Sequence, residues 1–177
     1  MKKLFTLVAL FATLLGCISC NNESTEAFDK FNSVVYELNV RQATEEGTFA
    51  AAEAYLPELK AMGVDIVWLM PISPIGVEAR KGTLGSYYSI IDYKAVNPEF
   101  GTMEDFEHFL ATAHDLGLKV IIDWVANHTS PDARWVTESP ASWYERDAQG
   151  GLTYTADWSD TANLNYENKD VWKGMQA

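Results

Sequence analysis

An α/β fold built on a parallel sheet is what this sequence predicts, and three observations predict it. A helical pattern closed by a glycine and followed by an apolar strand occurs twice, with the glycines at Gly63 and Gly117, as successive βα units require. The two strands concerned, VDIVWLMPI and LKVIIDWVANH, are near-continuous apolar runs, the pattern of strands covered on both faces. The composition, 47% hydrophobic and 12% aromatic over 177 residues, is that of a chain with a packed core rather than a disordered one.

The elements justify themselves in order. SVVYELNV, from Ser33, is rich in β-branched residues and reads as a first strand. TFAAAEAYLPELKAMG carries Ala52, Tyr55, Leu56, Leu59 and Met62 at helical spacing and ends at Gly63, with Pro57 placed to kink or restart the helix. VDIVWLMPI is the second strand, and Trp68 within it reads as core. After a long loop containing Gly and Tyr, TMEDFEHFLATAHDLG repeats the helical pattern. Thr102 and Asp105 form a capping box, and Phe106, Phe109, Leu110 and Ala113 share one face. His108 and His114 fall on this helix, away from strand ends, in solvated or structural roles. LKVIIDWVANH is the third strand, where alternation sends Trp124 toward the helices as core. Beyond His128 lies a loop-rich region with Pro131, Pro140, Gly150 and Gly151, whose aromatics Trp135, Trp143, Tyr144, Tyr154 and Trp158 read mostly as a small core, with ligand platforms as the alternative for some. A helical pattern resumes near Asn168.

Charge narrows the partners. Thirteen Lys and Arg against 25 Asp and Glu give a formal charge of −12, which repels a phosphate backbone and excludes nucleic acid as the expected partner. The first twenty residues differ in kind. Lys2 and Lys3 precede an apolar run from Leu4 to Leu15 that is too short to span a bilayer, as in an export signal. LLGCISC resembles the lipobox of bacterial lipoproteins, with Cys17 as the lipidated residue and Cys20 the less regular candidate. An ordinary signal peptide with two incidental or paired cysteines is the alternative. No cysteine follows Cys20, so no disulfide framework is expected in the exported part. A polar stretch, residues 21–32, then serves as a tether.

In parallel α/β folds the chemistry sits where strands end at their C-terminal edge. Asp123, Asn127 and His128 stand at such an end. The residues alone also allow a plainer role for them, capping the loop and satisfying local backbone groups.

Several segments together resemble glycoside hydrolase family 13, the alpha-amylase family. DWVANH, residues 123–128, is similar to its Asp-x-Val-x-Asn-His motif at the third barrel strand. VWLMPI resembles the second strand and VVYEL the first. YYSIIDYKAVNPEFGTMEDF, residues 87–106, resembles the loop after strand two, and DWSDTANLNYENKDV, residues 157–171, the segment closing the domain inserted after strand three. The resemblance implies a (β/α)8 TIM barrel of which about three βα units and the inserted domain are present. On that division, residues 1–20 are a lipoprotein signal peptide, 21–32 a tether, 33–128 the first three barrel strands, 129–168 the inserted domain, and 169–177 the start of the third barrel helix.

The implied activity is retaining hydrolysis of α-glucosidic linkages in starch-like glucans or malto-oligosaccharides. His128 matches the histidine that hydrogen-bonds a hydroxyl of the sugar being cleaved, and Tyr88 the tyrosine on which that sugar stacks. Asp123 matches an aspartate that organises the site by pairing with a basic side chain. Asn127 matches a ligand of structural calcium in members that hold calcium, and Asn163 stands where a second ligand is commonly aspartate. Retaining enzymes use two carboxylates about 5–5.5 Å apart, which the resemblance places on strands four and five. Asp92, Glu99, Asp157 and Asp160 end no recognisable strand, so no catalytic carboxylate is assigned within residues 1–177. The expectation is an exported, lipid-anchored enzyme facing the periplasm or cell surface, with the 177-residue chain inactive and insoluble or molten by itself. A transglycosylase or isomerase of the same family, and a non-catalytic glucan-binding lipoprotein, are the competing readings.

Overall fold

A computed structural model describes residues 32–177. Residues 1–31, which hold the expected signal segment, Cys17, Cys20 and most of the expected tether, lie outside the described residues. Three parallel strands form one sheet in the order β1 (Val35–Leu38), β2 (Ile66–Leu69), β3 (Lys119–Ile122), each hydrogen-bonded to its neighbour in sequence. Between β1 and β2 run α1 (Val40–Ala43), α2 (Phe49–Glu53) and α3 (Leu56–Ala61), and between β2 and β3 runs α4 (Met103–Asp115). The helical pattern of residues 48–63 forms two helices, the restart at Pro57 that the sequence allowed. The ring of Pro57 cannot continue a helix interior but suits a first turn, so α3 restarts with the proline near its N-terminus.

Alternation along the strands sorts the sheet into two faces. Val67 and Leu69 are fully buried and pack with Leu38 against Phe49, Leu56, Leu59, Phe109 and Ala113. Phe49 lies at the centre, with ring centroids 5.4 Å from Phe106 and 6.1 Å from both Phe100 and Phe109. The capping box is present, Thr102 Oγ1 accepting from the Asp105 amide and Asp105 accepting from the Thr102 amide. His108 shares a 2.6 Å contact with Glu53, joining α4 to α2.

The opposite face corrects the reading of strands buried on both sides. Glu37, Trp68 and Ile121 share it; Trp68 is 36% and Ile121 47% exposed. No described helix covers this face. Trp124 is also not core, being 62% exposed. β3 is the outer strand of the sheet, so its far side has no described neighbour.

The rest of the chain forms a second, smaller cluster. β4 (His128–Thr129) pairs antiparallel with β5 (Ala162–Asn163). α5 (Arg134–Glu138), a short 3-10 turn at Ala141–Trp143 and α6 (Lys169–Gln176) surround Tyr144, Ala162, Leu164 and Val171, all buried. Trp135 and Trp143 pack edge to face at 5.1 Å, so these two and Tyr144 meet the core expectation, whereas Tyr154 and Trp158 are about half exposed.

Candidate active site

β3 delivers the first site residue. Its ladder runs one residue past the strand, the Asp123 amide donating to the Leu69 carbonyl at 2.9 Å. Alternation then puts Asp123 on the face of Trp68 and Ile121, the one left free of helices. The loop after β2 brings Tyr88 to it, and the phenol donates to Asp123 Oδ2 at 3.0 Å. Partial burial pushes the Tyr88 hydroxyl above its ordinary range, helped by the hydrogen bond and charge of Asp123 and by Glu37, so the phenol stays protonated and remains a donor.

His128 is fixed on three sides and is only 6% exposed. Asn127 Nδ2 donates to its Nδ1 at 3.1 Å, which leaves the ring proton on Nε2 to be donated to the Tyr88 carbonyl at 3.2 Å. Burial lowers its pKa, with the Tyr88 carbonyl and the Asp160 charge pulling the other way. The ring is therefore neutral near pH 7. Both ring nitrogens are engaged, so a hydroxyl ligand at His128 has to displace one of these partners. Behind it, the Tyr93 phenol meets two carbonyls, those of Val125 at 2.7 Å and His128 at 2.8 Å, and burial raises its pKa strongly. This clamp turns the chain from β3 into β4.

The structure thus brings Tyr88, Asp123, Asn127 and His128 together at one strand end. Among the described residues Asp123 has no ion pair, and its side-chain partner is Tyr88. Asn163 is the register partner of His128 across β4 and β5, and it lines an open groove of about 850 Å³ together with Asn127, Glu145 and Tyr154. Its amide donates to Glu145 Oε2 and accepts from Thr155 Oγ1, both at 3.2 Å. Calcium takes six to eight oxygens. Two amides and one carboxylate are a partial set, and no group of three or more His, Cys, Asp and Glu that could hold a metal occurs among the described residues.

Sequence reasoning missed Tyr93, Lys81 and the placement of Trp158. Trp158 sits with its ring centroid 6.0 Å from that of His128, a placement that no periodicity in the sequence announces. Two of the carboxylates set aside earlier are engaged by arginines, Asp92 by Arg134 at 3.0 Å and Glu99 by Arg41 at 2.9 Å.

The profile of the family described as "Alpha amylase, catalytic domain" matches residues 39–174. The chain belongs to the alpha-amylase family. Among solved structures, an alpha-amylase from Lactobacillus plantarum is 48% identical with a TM-score of 0.79, over 81% of this chain and 34% of that one. A maltogenic alpha-amylase from Thermotoga neapolitana is 40% identical with a TM-score of 0.76, over 81% and 34%. Among curated proteins, an alpha-1,4-glucan:maltose-1-phosphate maltosyltransferase of Methylacidiphilum infernorum is 34% identical over 75% of this chain and 23% of its own length. The chain therefore spans about a quarter of that relative. Family membership makes the three parallel strands the fold of a TIM-barrel amylase and gives the cluster at the end of β3 its context.

Proposed function

We propose that the chain is part of an exported enzyme that cleaves α-glucosidic linkages of starch-like glucans or malto-oligosaccharides with retention of configuration. The observation that carries this is the convergence of Tyr88, Asp123 and His128 at a strand end of an alpha-amylase-family sheet. Tyr88 offers a ring to the apolar face of a pyranose. His128, neutral, exchanges its bond to the Tyr88 carbonyl for one to a sugar hydroxyl. Asp123 holds the Tyr88 phenol and stands ready for a basic partner. The nucleophile and the acid–base carboxylate come from outside this chain, a reading supported by the engagement of Asp92, Glu99 and Asp160 in ion pairs.

Asn127 and Asn163 are proposed to contribute oxygens to a structural calcium ion, which orders the groove and takes no part in bond cleavage. A lipid on Cys17 anchors the protein to a bacterial envelope membrane; Cys17→Ser is expected to release it into the soluble fraction. No helix among the described residues is long and apolar enough to cross a membrane. The similarity to a maltosyltransferase supports glucan transfer as the second reading. Incubating the protein that carries this chain with maltoheptaose and following products by proton NMR tests both. Short oligosaccharides appearing first as the α-anomer support retaining hydrolysis, and products longer than the substrate support transfer. Absence of any new sugar rejects the enzymatic reading.

A further inference from the structure

We propose that Trp158 is a sugar-stacking platform beside His128 and that Lys81 is the positioning residue that holds it there. The inference rests on the glucan reading above. Trp158 keeps 47% of its surface exposed while its ring lies against His128, itself buried. A large aromatic left open to solvent next to a polar, hydrogen-bonded group has the amphipathic character that a pyranose ring needs.

The turn that carries Trp158 is closed locally and tied down from elsewhere. Its own bonds include those of the Trp158 amide to the Thr155 carbonyl, of the Ser159 amide to the Asp157 carbonyl and of Thr161 back to the Trp158 carbonyl. Ala156 sits at φ 52°, the left-handed region that a residue with a Cβ enters at a cost. The ties come from the loop after β2. Lys81 Nζ donates to the Asp157 carbonyl and pairs with Asp160 Oδ1 at 3.8 Å, and Ser89 Oγ donates to the Asp160 carbonyl at 2.6 Å. Asp157 and Asp160 bracket Trp158, so these ties set where its ring lies. Asp160 is 4% exposed and Lys81 is its ion-pair partner, so removing the ammonium leaves a buried carboxylate uncompensated and frees the turn to move.

The loop after β2 therefore places two aromatics: it carries Tyr88 in its own chain and aims Trp158 through Lys81. The test is calorimetric binding of maltose and maltoheptaose to the protein that carries this chain and to Trp158→Leu, Lys81→Met, Lys81→Arg and the Trp158→Leu/Lys81→Met pair. Trp158→Leu is expected to weaken maltoheptaose binding about tenfold, the loss of one aromatic contact, and Lys81→Met to weaken it severalfold. Lys81→Arg restores the parent affinity, and Lys81→Met adds nothing on the Trp158→Leu background. Unchanged affinity in folded Trp158→Leu, or a Lys81→Met effect that persists without Trp158, overturns the proposal. A parent that binds neither sugar overturns the glucan reading itself, an outcome distinct from the other two.

Discussion

The βα layer and the segment after His128 hold themselves together in different ways. In the first, Phe49, Phe100, Phe106 and Phe109 pack around one another beneath Val67 and Leu69; the free energy there is mainly apolar burial. In the second, a small cluster around Tyr144 and Leu164 is supplemented by side chains reaching backbone. Tyr93 reaches in from the loop after β2 to clasp two carbonyls where the regions meet, the Tyr166 phenol donates to the Ala126 carbonyl, and Asn165 and Asn168 both donate to the Ser142 carbonyl. A region with little core depends on polar bonds, and polar bonds are directional. The residues that aim the site therefore lie where the second region meets the first.

Substitutions sharpen that contrast. Phe109→Ala removes a fully buried ring from the larger core and is expected to cost about 3–5 kcal/mol of unfolding free energy, read by chemical denaturation of the protein that carries the chain. A loss below about 1 kcal/mol would mean that this layer is not the main core. Tyr93→Phe deletes one oxygen yet strips the partner from two carbonyls, so about 1–3 kcal/mol is expected. Its effect should extend to substrate affinity, because the carbonyl of His128 is one of the two. Phe109→Ala should leave affinity nearly unchanged in whatever fraction remains folded.

The same contrast decides what the sequence made legible. Helices α3 and α4 and all three strands follow from period and punctuation: Gly63, Gly117, Pro57 and the Thr102 capping box each mark a boundary that the structure respects. Burial was read less well, since an apolar run such as IVWL does not say which face a neighbour covers, and Trp68 and Trp124 are open in consequence. The position of Asp123, Asn127 and His128 at a strand end was legible because a strand end is a short-range feature, whereas their sugar and metal roles came from the family resemblance and not from the pattern. Lys81 and Asp160, 79 residues apart along the chain, were not, because that pairing depends on two loops meeting. Gly76 illustrates the same limit: a Cβ there would lie 2.1 Å from Ser130 Oγ, a close approach of two loops that nothing in the GVEAR stretch announces.

Two of the three histidines, His108 and His128, give the smallest and most specific effect. Glu53, through its hydrogen bond and charge, raises the pKa of His108, so the contribution of that pair is full below the ordinary histidine value of about 6.5 and is lost as pH rises through the folded-state value. Burial lowers that of His128, which reverses the sign: its contribution is full above about 6.5 and erodes as pH falls. Denaturation midpoints followed across pH 5–8 should therefore show His108→Asn destabilising chiefly at the acid end and converging on the parent at the alkaline end. His128→Asn should flatten the loss on acidification. Identical pH profiles for the two variants would contradict these assignments.

The most direct test compares the strand-end cluster with a matched residue away from it. It sets kcat/KM on maltoheptaose for Asp123→Asn and His128→Asn against His108→Asn, in the protein that carries this chain. Losses of about 100-fold or more are expected for the first two, equivalent to about 2.7 kcal/mol of transition-state stabilisation, and a value within about twofold of the parent for His108→Asn. Folded Asp123→Asn and His128→Asn proteins with parental kcat/KM would show that the cluster at the end of β3 is structural and not the glucan site.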